Sequence, residues 1–136
     1  MSDYEKTSAS GNMFGGIVAN LGYENAAAAA DFYKKAFAAE ELNRVATPDG
    51  RLMHCHLKIN GNSLIINDCF PEHGHPYVAP ANIVLHLQTN DAKAWWDRAL
   101  AAGCTVLMPL ETQFWGDNYG HVADPFGVRW SIASPG

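Results

Sequence analysis

Four histidines, one arginine and two aromatic residues carry most of the chemistry this chain can do. His54 and His56 stand two apart in R-L-M-H-C-H-L, His86 lies in V-L-H-L-Q, His121 in Y-G-H-V-A and Arg129 in G-V-R-W. A neutral imidazole can hydrogen-bond a ligand, carry a proton or bind a metal. On a strand, His54 and His56 would lie about 7 Å apart on one face. With His86 as a third donor and one coordination position left open, they could hold zinc or iron and activate a bound water or oxygen ligand. The competing reading makes these histidines the hydrogen-bonding lining of a pocket, with no metal. Arg129 offers a planar fork of donors to an anionic or carbonyl-bearing ligand, or else pairs with a carboxylate such as Asp117. Trp115 and Tyr119 can stack on a ligand and hydrogen-bond it.

Other reactive side chains have plainer readings. Asp68 and Asp124 suit a strand end and a turn better than a general base, Cys55 suits a core position, and His73 and His75 fall in a proline-rich stretch expected to be solvated. Serine-hydrolase, phosphate-loop and dinucleotide fingerprints are missing from the sequence.

The elements that must position these residues follow from patterning. Ile17, Ala19, Leu21 and Tyr23 alternate with polar or small residues and predict a first strand buried on one side. Asn25 can cap a helix over about 26–38, with Phe32, Tyr33, Ala36 and Phe37 as its apolar stripe. Strands follow over 41–47 and 51–59, joined by Pro48-Asp49-Gly50. Asn60-Gly61 then predicts a two-residue hairpin into a strand over 63–69. That turn sets Leu57 opposite Leu64, Cys55 opposite Ile66, His56 opposite Ile65 and His54 opposite Asn67. Residues 71–80 hold three prolines and read as a linker. Beyond it come a strand over 82–89, a helix over 91–102 ended by Gly103, a strand over 105–111, and a closing hairpin with strands over 118–123 and 128–133. In the last strand Val128, Trp130 and Ile132 point to a core, and Arg129, Ser131 and Ala133 point away from it.

The order repeats. Phe32-Tyr33 with Ala36-Phe37 matches Trp95-Trp96 with Ala99-Leu100, and Gly61 before Leu64 and Ile66 matches Gly127 before Trp130 and Ile132. Two β-α-β-β-β modules are therefore expected, about 13–70 and 81–134, within one domain over 13–136 preceded by a flexible arm over 1–12. The predicted fold class is α+β, a curved mixed sheet around a cup. By parity the face away from the helices carries Val18, Asn20, His54, His56, Ile65, Asn67, Val84, His86, Gln88, Arg129 and Ser131, with His121 alongside.

The last third of the chain is distinctive. Trp115-Gly116, Tyr119-Gly120 and Asp124-Pro125-Phe126-Gly127 followed by Trp130 closely resemble the late motif of PhnB-like proteins. These belong to the vicinal-oxygen-chelate superfamily, with glyoxalase I, bleomycin-resistance proteins and extradiol dioxygenases. Ala38 departs from that pattern, because relatives usually place glycine there. The resemblance implies a homodimer and a cup that binds a small molecule. It also implies that the four metal-ligand positions of metal-dependent members fall on Val18, Ile65, Val84 and Ser131. Three aliphatic side chains and a hydroxyl are poor ligands, so the resemblance favours a binder without the usual metal. A lyase or dioxygenase using His54, His56 and His86 is the alternative.

Composition narrows the rest. The 136 residues are 48% hydrophobic with a formal charge of -5, enough for a core and unsuited to neutralising nucleic-acid phosphates. Three cysteines without a C-x-x-C pair argue against a disulfide framework or zinc ribbon and predict reduced thiols. Neither a signal peptide nor an apolar run of membrane-spanning length is present, so a cytoplasmic location is expected.

Overall fold

The computed structural model describes residues 15–136; the arm expected over 1–12 lies outside them. The elements run β1 (Asn20–Tyr23), α1 (Ala26–Ala36), β2 (Glu40–Ala46), β3 (Leu52–Ile59), β4 (Asn62–Asp68), a short 3-10 helix (Pro71–His73), β5 (Val84–Gln88), α2 (Ala92–Ala102), β6 (Thr105–Thr112), β7 (Asn118–Ala123) and β8 (Arg129–Ser134). They divide into two compact units, one reaching to Lys34 and resuming over Ala38–Val78, the other made of Lys35–Phe37 and Ala79–Gly136.

Each unit holds one four-stranded mixed sheet. The order is β1-β4-β3-β2 in the first and β5-β8-β7-β6 in the second, so the predicted α+β duplication is present. In both, the first strand lies parallel to the last and the other neighbours are antiparallel. The Asn60-Gly61 turn fixes register in the first unit. Both residues take positive φ, 51° and 82°, and Leu57, His56 and Cys55 face Leu64, Ile65 and Ile66 as expected.

Helix α1 starts at the Asn25 cap, whose Oδ1 accepts from Ala28 N at 3.0 Å. Its buried stripe is Ala26, Ala29, Ala30, Tyr33 and Ala36, continuing to Phe37. Small alanines at that spacing let the helix approach closely, and Phe32 is only half-buried. The Tyr33 and Tyr23 hydroxyls, 2.6 Å apart, tie α1 to β1. At the helix exit Ala38 has φ 52°, a left-handed conformation that glycine would adopt without strain.

Helix α2 is capped by Asp91, which accepts from Ala94 N at 3.2 Å, and lies over the second sheet. Its Trp96 explains the Tyr119-Gly120 pair. A Cβ added at Gly120 would sit 2.7 Å from Trp96 Cζ3 and 2.8 Å from Leu110 Cα, so only glycine fits. Phe37, grouped with this unit, stacks on Trp130 with ring centroids 4.2 Å apart.

Asp124 organises the closing turn. Its Oδ1 accepts from Phe126 N and Val128 N, at 2.9 and 3.0 Å, and its Oδ2 from the Trp130 indole at 3.0 Å. Gly127 supplies the positive φ of 84°. Asp68 does similar work at the end of β4, accepting from Ala26 N and Leu52 N.

Two expectations need correction. Ile17 is fully exposed, because the pairing of β1 with β4 runs over Asn20–Tyr23 and does not reach it. Ser131 and Ala133 are 1% and 2% exposed, so both faces of β8 are covered. β8 is an inner strand flanked by β5 and β7, and His86 of β5 hydrogen-bonds Ser131 on it. Within the stretch read as a linker, Phe70 bridges to His75 around Pro71–His73.

Candidate functional site

The second unit gathers most of the expected site residues on one face. Registers place His86 and His121 on either side of Ser131, Val84 and Ala123 beside Arg129, and Gln88 and Tyr119 beside Ala133. All point away from α2, since Val122, Trp130 and Ile132 at the intervening positions are buried in the core.

Hydrogen bonds define how these groups present themselves. His86 Nε2 lies 2.9 Å from Gln88 Oε1, an acceptor, so that nitrogen carries the proton. His86 Nδ1 therefore accepts from the Ser131 hydroxyl, 2.6 Å away. Tyr119 Oη lies 2.7 Å from His121 Nε2. Burial lowers the pKa of His121, with Arg129 and His86 adding to the effect, so a neutral imidazole accepts the phenol proton there. The Tyr119 ring stacks on His86 at 6.0 Å and meets Trp115 edge-on at 5.7 Å.

Trp115 is held by a tight turn in which Gln113 N donates to Asp117 O and Gly116 N to Gln113 O. Beside it the Phe114 ring is almost fully exposed. Arg129 is half-buried at the start of β8. Among the described residues it enters no ion pair, with Asp117 or any other carboxylate.

The corresponding face of the first unit is quieter. Asn20 and His56 flank Ile65, and His56 faces Asn43 across β2. Asn67 Nδ2 donates to Asn20 Oδ1 at 2.8 Å. His56 is fully buried, with Nε2 2.8 Å from Ser63 Oγ. Its Nδ1, and Nε2 of His54, are buried without a partner among the described residues. Desolvation lowers the pKa of both imidazoles, and His54 adds to the effect on His56. Buried polar atoms in this condition call for water or a ligand.

Of the four positions to which the resemblance would assign metal ligands, the side chains of Val18, Ile65 and Val84 have no donor atom, and the Ser131 hydroxyl lies 2.6 Å from His86 Nδ1. Among the described residues no group of three or more His, Cys, Asp or Glu is placed to hold an ion, so the zinc or iron alternative gains no cluster. Cys55, Cys69 and Cys104 are free; burial pushes the Cys55 thiol up to about 11 and Cys104 to about 12, far from nucleophilic. Among the described residues no helix is long and apolar enough to cross a membrane.

Sequence parity identified His86, His121 and Arg129 as neighbours but missed the parts of Ser63 and Ser131 as imidazole partners. The diagonal of His56 to Ser63 across the Asn60-Gly61 hairpin was available as a signal. Met108, opposite His121, was beyond parity, because β6 carries irregularities on both sides of it.

A family model described as Glyoxalase/Bleomycin resistance protein/Dioxygenase superfamily matches residues 17–132. An uncharacterised protein of Mycobacterium bovis is 47% identical over 122 residues, spanning 85% of this chain and 80% of that protein. Among solved structures, protein PA1353 from Pseudomonas aeruginosa superposes with a TM-score of 0.75 at 25% identity, covering 90% of this chain and 98% of the other. The PhnB protein of Bacillus cereus gives 0.64 at 20% identity, covering 88% and 99%, a likeness of fold.

Proposed function

Since the chain belongs to the glyoxalase/bleomycin resistance protein/dioxygenase superfamily, we propose that it is a PhnB-like small-molecule binder working without the usual four-ligand metal site. The ligand lies against the β5–β8–β7 face. Arg129 anchors an anionic or carbonyl group, Trp115 and Tyr119 contact an apolar or aromatic part, and His86 and His121 supply hydrogen bonds or a proton. His54 and His56 line the matching face of the first unit. The observation that carries this reading is Arg129, a guanidinium without a carboxylate partner among the described residues, beside the His121 imidazole, whose pKa burial lowers. A cation that no carboxylate among the described residues pairs with, at the edge of a polar and aromatic face, suits an anion. The working form is a homodimer, the assembly that relatives commonly use, and it acts in the cytoplasm.

The test is thermal stabilisation by phenylphosphonate, benzoate and aromatic and glycopeptide antibiotics, compared between the wild type and Arg129→Gln. A ligand that binds only the folded state raises the melting temperature by mass action. Losing a bidentate charged contact should weaken an anionic ligand at least about tenfold. No stabilisation by any of these compounds, or an effect that survives in Arg129→Gln, would count against the site. Metal analysis of untagged protein addresses the alternative. Stoichiometric zinc or iron, lost in a His54→Ala/His56→Ala double variant, would replace this reading with a metal-dependent lyase or dioxygenase.

A further inference from the structure

The segment after β4 builds a structure that the binding face does not use. Phe70 and His75 exchange both backbone hydrogen bonds, at 2.8 and 3.0 Å, closing a loop around Pro71–His73. Arg51 fastens it from β3's leading edge: its guanidinium donates to both Glu72 carboxylate oxygens, at 3.0 and 2.5 Å, and lies 4.4 Å from the Phe70 ring centroid. Two cavities, of about 330 and 400 Å³, open beside this loop and share Met53, Phe70 and His75 as walls. His73 completes the first, and Gly22 and Cys69 the second. Volumes of that order are those of small-molecule sites.

The charges decide what kind of molecule fits. Arg51 is committed to Asp49 and Glu72, and the Asp68 carboxylate to the backbone N–H groups of Ala26 and Leu52. An ion entering would lose hydration and find no free opposite charge. What remains on the walls is a phenyl ring, a thioether, two imidazoles and the Cys69 thiol, because the Thr47 hydroxyl donates to Arg51 O and the Asn67 amide to Asn20 Oδ1. Met53 is 59% exposed, a large apolar side chain left at a cavity wall. Thioether sulfur and ring edges attract one another, and an imidazole nitrogen can hydrogen-bond a single polar atom.

We propose that these joined cavities form a second binding site, for a neutral planar aromatic molecule of one or two fused rings with a single polar atom directed at His75. The site lies within the first unit and does not depend on Arg129 or on the β8 face.

Methionine methyl resonances test this directly, because Met53 lines the cavities while Met108 sits on β6 of the other unit. The full chain, labelled at its methionine methyls, is titrated with indole and separately with phenylphosphonate. The expected result is a saturable shift of Met53 with indole alone, at a dissociation constant of about a millimolar or below, and a still Met108. Met53→Glu sets a carboxylate against the ring and should weaken indole at least about tenfold by ligand-observed saturation transfer. Because Met53 is mostly exposed, the far-UV circular dichroism of that variant should match the wild type. A motionless Met53, equal shifts with phenylphosphonate, shifts of Met108 as large as those of Met53, or undiminished indole binding to a folded Met53→Glu would each overturn the proposal.

Discussion

Replacing Asp124 should separate the turn's hydrogen bonds from its backbone shape. The carboxylate accepts three N–H groups, two of which belong to the buried residues Val128 and Trp130, 3% and 2% exposed. In Asp124→Ala the Phe126 N–H can turn to water, but the other two are stranded. At about 1–3 kcal/mol for each buried unsatisfied donor, plus about 1 kcal/mol for the third bond, the variant should lose about 4 kcal/mol. Asp124→Asn keeps an oxygen for the two backbone donors and sets an amide N–H against the indole N–H, which should cost about 2 kcal/mol. Against a typical total of about 5–15 kcal/mol, both effects are measurable and the asparagine variant stays folded. Urea unfolding followed by tryptophan fluorescence and circular dichroism reads them, with an unchanged slope showing that compactness is unaltered. Indole N–H exchange identifies the cause. The chain has four tryptophans, and only the Trp130 resonance should lose protection in Asp124→Asn. If alanine costs under about 1 kcal/mol, or asparagine costs as much as alanine, the carboxylate is not what holds the turn.

Gly120→Ala should destabilise by about 3 kcal/mol, because the added methyl meets both Trp96 and the Leu110 backbone; denaturant midpoints measure it, and a cost under about 1 kcal/mol would mean that α2 can retreat. Ala38→Gly should be a gain. Relief of about 1–2 kcal/mol of left-handed strain exceeds the roughly 0.4–1 kcal/mol of added unfolded-chain entropy, so the unfolding midpoint should rise. Acid should weaken the fold through its histidines. His54, His56 and His121 have folded pKa values below the ordinary 6.5, so the unfolded chain takes up protons first. Stability should be level above about pH 7 and fall as pH drops through 6.5 toward the lower folded values, and His56→Gln should flatten that fall. A profile that rises on acidification across this window would contradict the assignment.

How far sequence reading reached depended on the range of each signal. The hairpin at Asn60-Gly61 and the turn at Asp124–Gly127 are written in adjacent residues, so their registers and the facing of Cys55, His56, Val122 and His121 were legible from parity. Burial of Ser131 and Ala133 was not, because it depends on β8 being an inner strand with β5 pairing from more than forty residues away. The loop after β4 was illegible for a similar reason. Its three prolines read only as a linker, whereas its anchor is Arg51, 21 positions before Glu72. Site geometry was half visible: alternation put Tyr119 and His121 on one face, but the partners that fix imidazole tautomers come from distant strands.

The closing hairpin divides its residues by parity in a way that bears on how relatives of this chain should be recognised. Gly120, Val122, Asp124, Trp130 and Ile132 serve the helix side and the turn, while Tyr119, His121, Arg129 and Ser131 occupy the other side. A signature built on the even-numbered set detects shared architecture and is blind to cargo. Two proteins could agree at every one of those positions and still take up unrelated compounds, because under the proposed binding role selectivity would follow the odd-numbered set, one residue out of step.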